Sequence, residues 1–149
     1  MPKSIAVTTA LIALLVPASA DARSSGVHCS RYANKARVAT SVVHRPLFAT
    51  TLATRWCYDG RHVVRLTGVQ VLPTLTTLGS LLTWEFKGTL PDASENVVFS
   101  RAGTRRAGYR VRRVVQWQRC TGSCFSYYLE LNSFLYADGH AAPLNRARK

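Results

Sequence analysis

An arginine-rich run between positions 101 and 119 carries the side chains best suited to binding chemistry. It holds seven arginines and no acidic residue. Tyr109, Trp117, Tyr127 and Tyr128 supply aromatic rings nearby. Basic groups beside stacking surfaces are what a single-stranded nucleic acid or an anionic glycan requires. The residues predicted to contact such an anionic ligand are Arg101, Arg105, Arg106, Arg110, Arg112, Arg113 and Arg119.

A structural role for these arginines is the alternative. Arginines that alternate along a strand also protect an exposed sheet edge against pairing with another chain. A genome rich in G and C favours arginine codons, so charge alone does not identify a partner. The predicted partners are an anionic envelope polymer, a membrane surface or a protein.

Two carboxylates inside predicted strands are the candidates for acid–base chemistry. Glu85 and Glu130 could cleave a glycosidic bond if their strands brought them together, because glycoside hydrolysis uses a pair of carboxyl groups. Asp59, Asp92 and Asp138 instead occupy predicted turns. Nothing in the spacing of Glu85 and Glu130 shows that they meet, so catalysis is the secondary hypothesis.

No pattern in the chain indicates a metal or cofactor site. The histidines form no H-x-H or H-x-x-x-H pair, and no serine lies in a G-x-S-x-G turn. The sequence also has no glycine-rich phosphate loop and no calcium loop. We therefore expect no cofactor and no metal.

Four cysteines predict two disulfide bonds, with three possible connectivities. The favoured pairs are Cys120–Cys124, which would close a short hairpin loop, and Cys29–Cys57, which would tie the N-terminal segment to the first hairpin. C-x₃-C is not the spacing of a redox dithiol. No histidine lies close enough in sequence to suggest a zinc module.

The first twenty residues match a secretory signal peptide. Lys3 precedes an apolar run over residues 5–16, and Ala18-Ser19-Ala20 forms an A-x-A cleavage signal. The apolar run is too short to span a bilayer. Cleavage after Ala20 would leave residues 21–149, which we predict to be a single domain, secreted and either extracellular or associated with the cell surface.

Charge is the second global constraint. The chain has 20 lysines and arginines against 7 acidic residues, a formal net charge of +13. Loss of Lys3 with the signal peptide (1–20) leaves 20 − 1 = 19 basic residues and a net charge of +12. Such a field attracts anionic polymers and surfaces, with an affinity that falls steeply as salt rises.

Period-two patterning predicts six strands after residue 46. Phe48, Leu52 and Trp56 share one face of the first strand, and Asp59-Gly60 favours a hairpin turn after it. Pro73 is expected to end the return strand. The predicted strands cover residues 47–56, 62–71, 81–87, 96–101, 109–119 and 125–136.

These elements predict an all-β fold, a small antiparallel sandwich or barrel of about six to seven strands with two disulfides. Residues 27–43 show no clear local preference. We expect flexible segments at 21–28 and at 141–149.

Several short motifs resemble those of a group of small exported actinobacterial proteins. The motifs are the W-C-x-x-G hairpin at residues 56–60, the valine-rich strand after it, Trp84, Cys124 and the Tyr136-Ala137-Asp138-Gly139 segment. The similarity covers about residues 29–139. It implies a secreted β-sandwich with two disulfides and supplies no activity or catalytic residue. This chain departs from the group in being strongly basic.

Taken together, these features predict a secreted, non-enzymatic, basic binding protein of the cell envelope or extracellular space. A small secreted hydrolase acting on an envelope polysaccharide, through Glu85 or Glu130, is one alternative. A protein-binding or inhibitor module is the other. Nucleic acid is not expected as the physiological partner, because the chain is predicted to be exported.

Overall fold

A computed structural model describes residues 26–100 and 107–148, and most of them lie in β-strands. The predicted signal peptide, Arg101, Arg105 and Arg106 lie outside the described residues. The strands are β1 (His28–Ala39), β2 (Pro46–Tyr58), β3 (Val63–Leu75), β4 (Trp84–Thr89), β5 (Glu95–Ser100), β6 (Ala107–Thr121), β7 (Ser123–Tyr136) and β8 (Ala141–Arg148). A short helix, α1 (Thr77–Leu81), and a 3₁₀ turn (Pro91–Ala93) complete the elements.

The strands form two antiparallel sheets, so the predicted all-β fold is confirmed, with eight strands in the described residues. Sheet A has the order β1-β2-β3. Sheet B has the order β4-β6-β7-β8, and β5 also pairs with β6. The strand β6 is long enough for β5 to pair with its first half and β4 with its second half, both on the edge opposite β7.

The core lies between the two sheets. Phe48, Leu52 and Trp56 are buried on the inner face of β2, as the period-two pattern predicts. Valines and leucines of β6 and β7 meet them from sheet B. The rings of Phe48 and Trp117 stack at 4.3 Å, and burial of such large side chains contributes about 1.5–3 kcal/mol each.

Hydrogen bonds from buried polar side chains join the sheets. The indole N–H of Trp117 donates to Thr50 Oγ1 at 3.0 Å. Asn34 Nδ2 donates to the backbone oxygen of Asn132 at 2.8 Å and to Asn145 Oδ1 at 2.7 Å. These bonds satisfy side chains that would otherwise be costly to bury, and they set how the strands of the two sheets face one another.

Both favoured disulfide pairs are present. Cys29–Cys57 joins directly opposite positions of β1 and β2, and Cys120–Cys124 joins opposite positions at the end of the β6–β7 hairpin. The first bond therefore attaches the N-terminal strand to the centre of sheet A.

Two segments differ from the sequence-based expectation at the chain ends. Residues 28–39, which lie in a region without a clear preference, form β1 and pair along most of β2. Residues 141–148, expected to be flexible, form β8 and pair with the open edge of β7. In both cases the partner strand supplies the backbone hydrogen bonds, which local composition does not reveal.

Two further boundaries also differ. Pro73 does not end β3, because β3 is an edge strand and tolerates a residue without an N–H. The predicted strand over 81–87 begins only at Trp84, since α1 precedes it. Thr76 starts that helix by accepting a hydrogen bond from the Gly79 N–H at 3.0 Å.

Candidate functional site

Arg110 and Arg112, two members of the predicted arginine patch, are paired with carboxylates on the outer face of sheet B. The Arg110 guanidinium contacts Glu95 of β5. Arg112 lies between two carboxylates, with Nη1 3.8 Å from Oε1 of Glu95 and Nε 3.3 Å from Oε1 of Glu130. The Arg112 Nε–H itself makes no hydrogen bond, and Nη2 of Arg112 donates to Glu130 Oε2 at 3.3 Å, so the ion pair with Glu130 is also hydrogen-bonded. These carboxylates balance the two arginine charges within the protein.

Arg113 and Arg119 also have internal partners. Nη1 of Arg113 donates to two backbone oxygens at 3.2 and 2.7 Å, and to Asn96 Oδ1 at 2.8 Å. Burial lowers the pKa of this guanidinium from its usual value. The guanidinium carbon of Arg119 lies 5.7 Å from the centroid of the Trp84 ring, a cation–π contact.

The four described arginines of the predicted patch therefore each have a role in holding the fold together. Arg101, Arg105 and Arg106 lie outside the described residues. Ligand binding by the patch stays a prediction, and a structural role accounts for the contacts of its four described arginines.

The two candidate catalytic carboxylates are not brought together by sheet B. Glu85 lies opposite Gln118 of β6, whereas Glu130 lies opposite Val114. Four residues along a strand span about 13 Å, which exceeds the separation of about 5–9.5 Å between the carboxyl groups of glycosidases. Glu85 is exposed and lies 2.6 Å from Lys87 Nζ, while Glu130 is buried beside Arg112.

A different group of basic side chains lies on the outer face of sheet A. Every second residue of β1 points away from the core, and the basic members of that set are Arg31, Lys35 and Arg37. Arg55 of β2 and Arg65 of β3 are exposed on the same face. We call this group the cationic face, and define it as Arg31, Lys35, Arg37, Arg55 and Arg65.

The cationic face lacks internal counter-charges in the part of the chain that the structure describes. No strand of sheet A contains Asp or Glu. No described carboxylate lies within 4 Å of a charged group of the five residues. The two sheets thus differ, because Arg110 and Arg112 of sheet B are paired with acids, whereas no described arginine of sheet A is.

Arg31 and Arg55 are the directly opposed pair of like charges on the cationic face. They occupy directly opposite positions on β1 and β2, where side chains are close neighbours. Like charges at such positions are destabilising. Gly68 follows on β3 in the same row, and a Cβ built there would lie 3.7 and 3.8 Å from Cβ and Cδ of Arg55. These are ordinary contact distances, so the stem of Arg55 lies beside the backbone of Gly68.

An open depression lies on this face beside the two arginines. Its volume is about 610 Å³, and small residues line it at Ala33, Ala53 and Gly68. A second depression of about 350 Å³ extends from the same arginines towards the Cys29–Cys57 disulfide and Arg65. Arg31, Arg55 and Thr67 line both, so the two depressions form one continuous surface.

The cationic face was missed by reasoning from the sequence, although two signals point towards it. Residues 22–58 and 60–84 contain no acidic residue. Within the first of these stretches, Arg31, Lys35 and Arg37 have the same parity, which places them on one face of a strand. The positions of Arg55 and Arg65 beside them follow only from the register of β1, β2 and β3.

The described residues contain neither a cluster of metal ligands nor a helix able to span a membrane. Within residues 26–100 and 107–148, no three His, Cys, Asp or Glu side chains are grouped so that they could hold a metal ion. Neither helix in that part of the chain has the length and apolar character needed to cross a membrane.

Comparisons with known proteins do not assign the chain to a family. No family model matches it, and neither a curated protein nor a solved structure shows significant similarity to it. The candidate site therefore rests on the geometry and charge of the cationic face.

Proposed function

We propose that this protein is an exported, non-enzymatic binding protein that holds an anionic ligand on the cationic face of sheet A. The observation that carries the proposal is the opposition of Arg31 and Arg55, with no described carboxylate near either. An anionic ligand would supply the counter-charge for both guanidinium groups, which bind carboxylate and phosphate through paired hydrogen bonds.

Protection of a sheet edge explains only part of the cationic face. Arg31, Lys35 and Arg37 lie on the edge strand β1, where cations discourage pairing with another chain. Arg65 lies on the other edge strand, β3, and has the same explanation. Arg55 lies on the central strand β2 and has no edge to protect. Its position beside Arg31 therefore favours a ligand-binding role.

Because the protein is predicted to be exported, its ligand is expected outside the cytosol. The first twenty residues predict secretion, and disulfides such as Cys29–Cys57 and Cys120–Cys124 persist in oxidising compartments outside the cytosol. Anionic groups outside the cell occur on envelope polymers, membrane surfaces and acidic proteins. We propose an envelope or extracellular ligand of this kind.

The geometry of the described residues favours neither of the two alternatives from the sequence. The register separates Glu85 from Glu130, which does not favour a hydrolase that uses both. No described surface singles out a protein-binding or inhibitor role. Both classes stay predictions from the sequence.

Salt-dependent binding of the purified, oxidised protein to intact cell envelopes tests the proposal. We expect binding at low salt that falls steeply with the logarithm of salt concentration. Three double variants remove the same number of charges: R31Q/R55Q on the cationic face, R105Q/R106Q in the patch predicted from sequence, and R45Q/R61Q as an exposed control. R31Q/R55Q should weaken binding at least tenfold, and the other two much less.

Two outcomes would contradict the proposal. Equal losses in all three double variants would mean that only net charge matters. A loss confined to R105Q/R106Q would move the binding site to the arginine run of residues 101–119. Circular dichroism of each variant would confirm that the fold is retained.

A further inference from the structure

We infer that the ligand is a linear oxyanion polymer lying along the strands of sheet A, an inference that rests on the proposed function. The basic residues of the cationic face are not gathered round one point. They extend along the strand direction from Arg65 to Arg37, and the two depressions occupy the part of this length between Arg65 and Ala33. A chain of negative groups fits this arrangement better than a compact anion does.

The register of sheet A sets the length of the surface. Residues that lie opposite one another across β1, β2 and β3 form a row, and Arg65 is in the same row as Cys29 and Cys57. Arg37 lies eight residues beyond Cys29 along β1. At about 3.4 Å per residue in an antiparallel sheet, this separation is about 27 Å. Rows whose side chains point outward alternate with rows whose side chains point inward, so successive outward rows are about 7 Å apart. Five outward rows run from Cys29 to Arg37 along β1. A compact anion could contact Arg31, Arg55 and Arg65, but it would leave Lys35 and Arg37 without a partner.

The shape of the surface favours a chain over a flat membrane. Alanines and a glycine line the larger depression, and longer arginine side chains stand beside them. A narrow chain can enter such a surface, whereas a bilayer contacts only what projects from it. Leu72 is the one large apolar side chain in the five outward rows, so the face offers little to insert among lipids.

The chemistry of the lining favours recognition of the charged backbone of the polymer. No outward position in the five rows carries an aromatic ring. Tyr32 also lines the larger depression, but its side chain packs against the core. Base or sugar stacking on an aromatic surface, expected for the run at 101–119, is therefore not available on the cationic face. Four of its five cations are arginines, whose planar forks suit phosphate and carboxylate oxygens.

A length series of oligomers tests this inference. The first probe is a set of abasic phosphodiester oligomers with two to twelve phosphates, and the second is a set of uronic-acid oligomers of matched charge. Calorimetry or fluorescence anisotropy would give the affinity of the oxidised protein for each. We expect affinity to rise with length and level off once the oligomer spans about 27 Å. The set that binds more tightly identifies phosphate or carboxylate as the source of the charge.

Two variants locate the polymer on the sheet. R31Q/R55Q should weaken binding of short and long oligomers alike. K35Q/R37Q should leave the shortest oligomers unaffected and weaken only the long ones. For a single-stranded polyanion, the slope of log affinity against log salt is about −0.7 per neutralised phosphate, so K35Q/R37Q should make the long-oligomer slope shallower by about 1.4.

The results separate failure of the inference from failure of the proposed function. If R31Q/R55Q weakens binding but length and K35Q/R37Q have no effect, the site takes a compact anion and the inference is wrong. If phosphatidylglycerol vesicles bind tightly while every oligomer binds weakly, the ligand is a membrane surface, which also overturns it. If R31Q/R55Q changes the affinity for none of the oligomers or vesicles, the proposed function itself fails.

Discussion

Arg31 of β1 lies directly opposite Arg55 of β2, and neither guanidinium has a described carboxylate within ion-pairing distance. On the other sheet, Arg110 and Arg112 are both paired with Glu95. The protein therefore uses arginine in two ways. In sheet B, Arg110 and Arg112 are paired with acids of the same sheet, whereas no arginine of sheet A has a described acid within ion-pairing distance.

The opposition of Arg31 and Arg55 predicts that the site lowers the stability of the free protein. R55Q should raise the free energy of unfolding by about 0.2–1 kcal/mol at low salt, because it removes a like-charge cross-strand pair. The gain should shrink at high salt, where the repulsion is screened. Urea unfolding at two salt concentrations measures both effects. R37Q is the matched control, since Arg37 lies opposite Ala49. A gain from R37Q as large as that from R55Q would contradict the pairing argument.

Two glycines with similar backbone angles predict different costs of substitution. Gly60 and Gly139 have φ of 87° and 88°. A Cβ on Gly60 would meet nothing within 4 Å, whereas a Cβ on Gly139 would lie 2.4 Å from the phenol oxygen of Tyr58 and 2.6 Å from its Cζ. The free energy of unfolding of G60A should therefore fall by about 1–2 kcal/mol, because alanine is strained in the left-handed backbone conformation. The free energy of unfolding of G139A should fall by about 1–3 kcal/mol more, because of the contact with Tyr58.

Chemical denaturation of G60A and G139A side by side measures the difference between the two positions. Equal losses would mean that the contact between Tyr58 and Gly139 does not constrain the β7–β8 turn.

The buried bond between Trp117 and Thr50 predicts a cost for an isosteric change. T50V keeps the shape of the side chain but leaves the indole N–H of Trp117 without its 3.0 Å acceptor. The free energy of unfolding should fall by about 1–3 kcal/mol. T54V is the matched control on the same strand face, because the Thr54 hydroxyl donates a longer bond of 3.3 Å to the Tyr32 carbonyl. T50V should cost more than T54V, and the reverse order would argue against the inter-sheet bond.

Asp59 predicts a dependence of stability on pH. Its Oδ1 accepts hydrogen bonds from the backbone N–H groups of His62 and Arg61 at 2.7 and 2.8 Å, and these bonds hold its pKa below the usual value. A carboxyl whose pKa is depressed on folding stabilises the protein above its unfolded pKa of about 3.9, and this contribution is lost as pH falls through the lower folded pKa. The stability difference between wild type and D59N should therefore be constant above about pH 5 and shrink below about pH 4.

Thermal unfolding of wild type and D59N from pH 7 to pH 2 measures this effect. A difference that stays the same across the whole range would show that the carboxylate charge does not strengthen the turn.

The parts of the fold that follow from local pattern agree with the sequence-based prediction. The inner face of β2, with Phe48 and Trp56, is visible from alternation alone, because side chains of a strand point to opposite faces in turn. Both disulfide pairs also agree. The prediction was less complete at β1 and β8, whose few apolar residues give weak alternation. Asn34 and Asn145, which bond to one another between these strands, show that polar contacts help to place both.

The candidate site was harder to predict for a related reason. A group of arginines such as Arg110, Arg112 and Arg113 is easily recognised because its members are close together in the sequence. Their partners come from β5 and β7, and those contacts depend on pairing between strands. Arg31 and Arg55 are far apart in sequence and become neighbours only through the β1–β2 register.

The sequence by itself determined the β class and the turns at its Asp-Gly pairs, because each depends on alternation or on residues near in the chain. It favoured the observed cysteine pairing but left two other connectivities possible. Only the tertiary structure decided which arginines are balanced and which are left facing outward. Charge balance depends on distances between side chains from different strands, and a shift of one residue in register would turn each of those side chains to the opposite face.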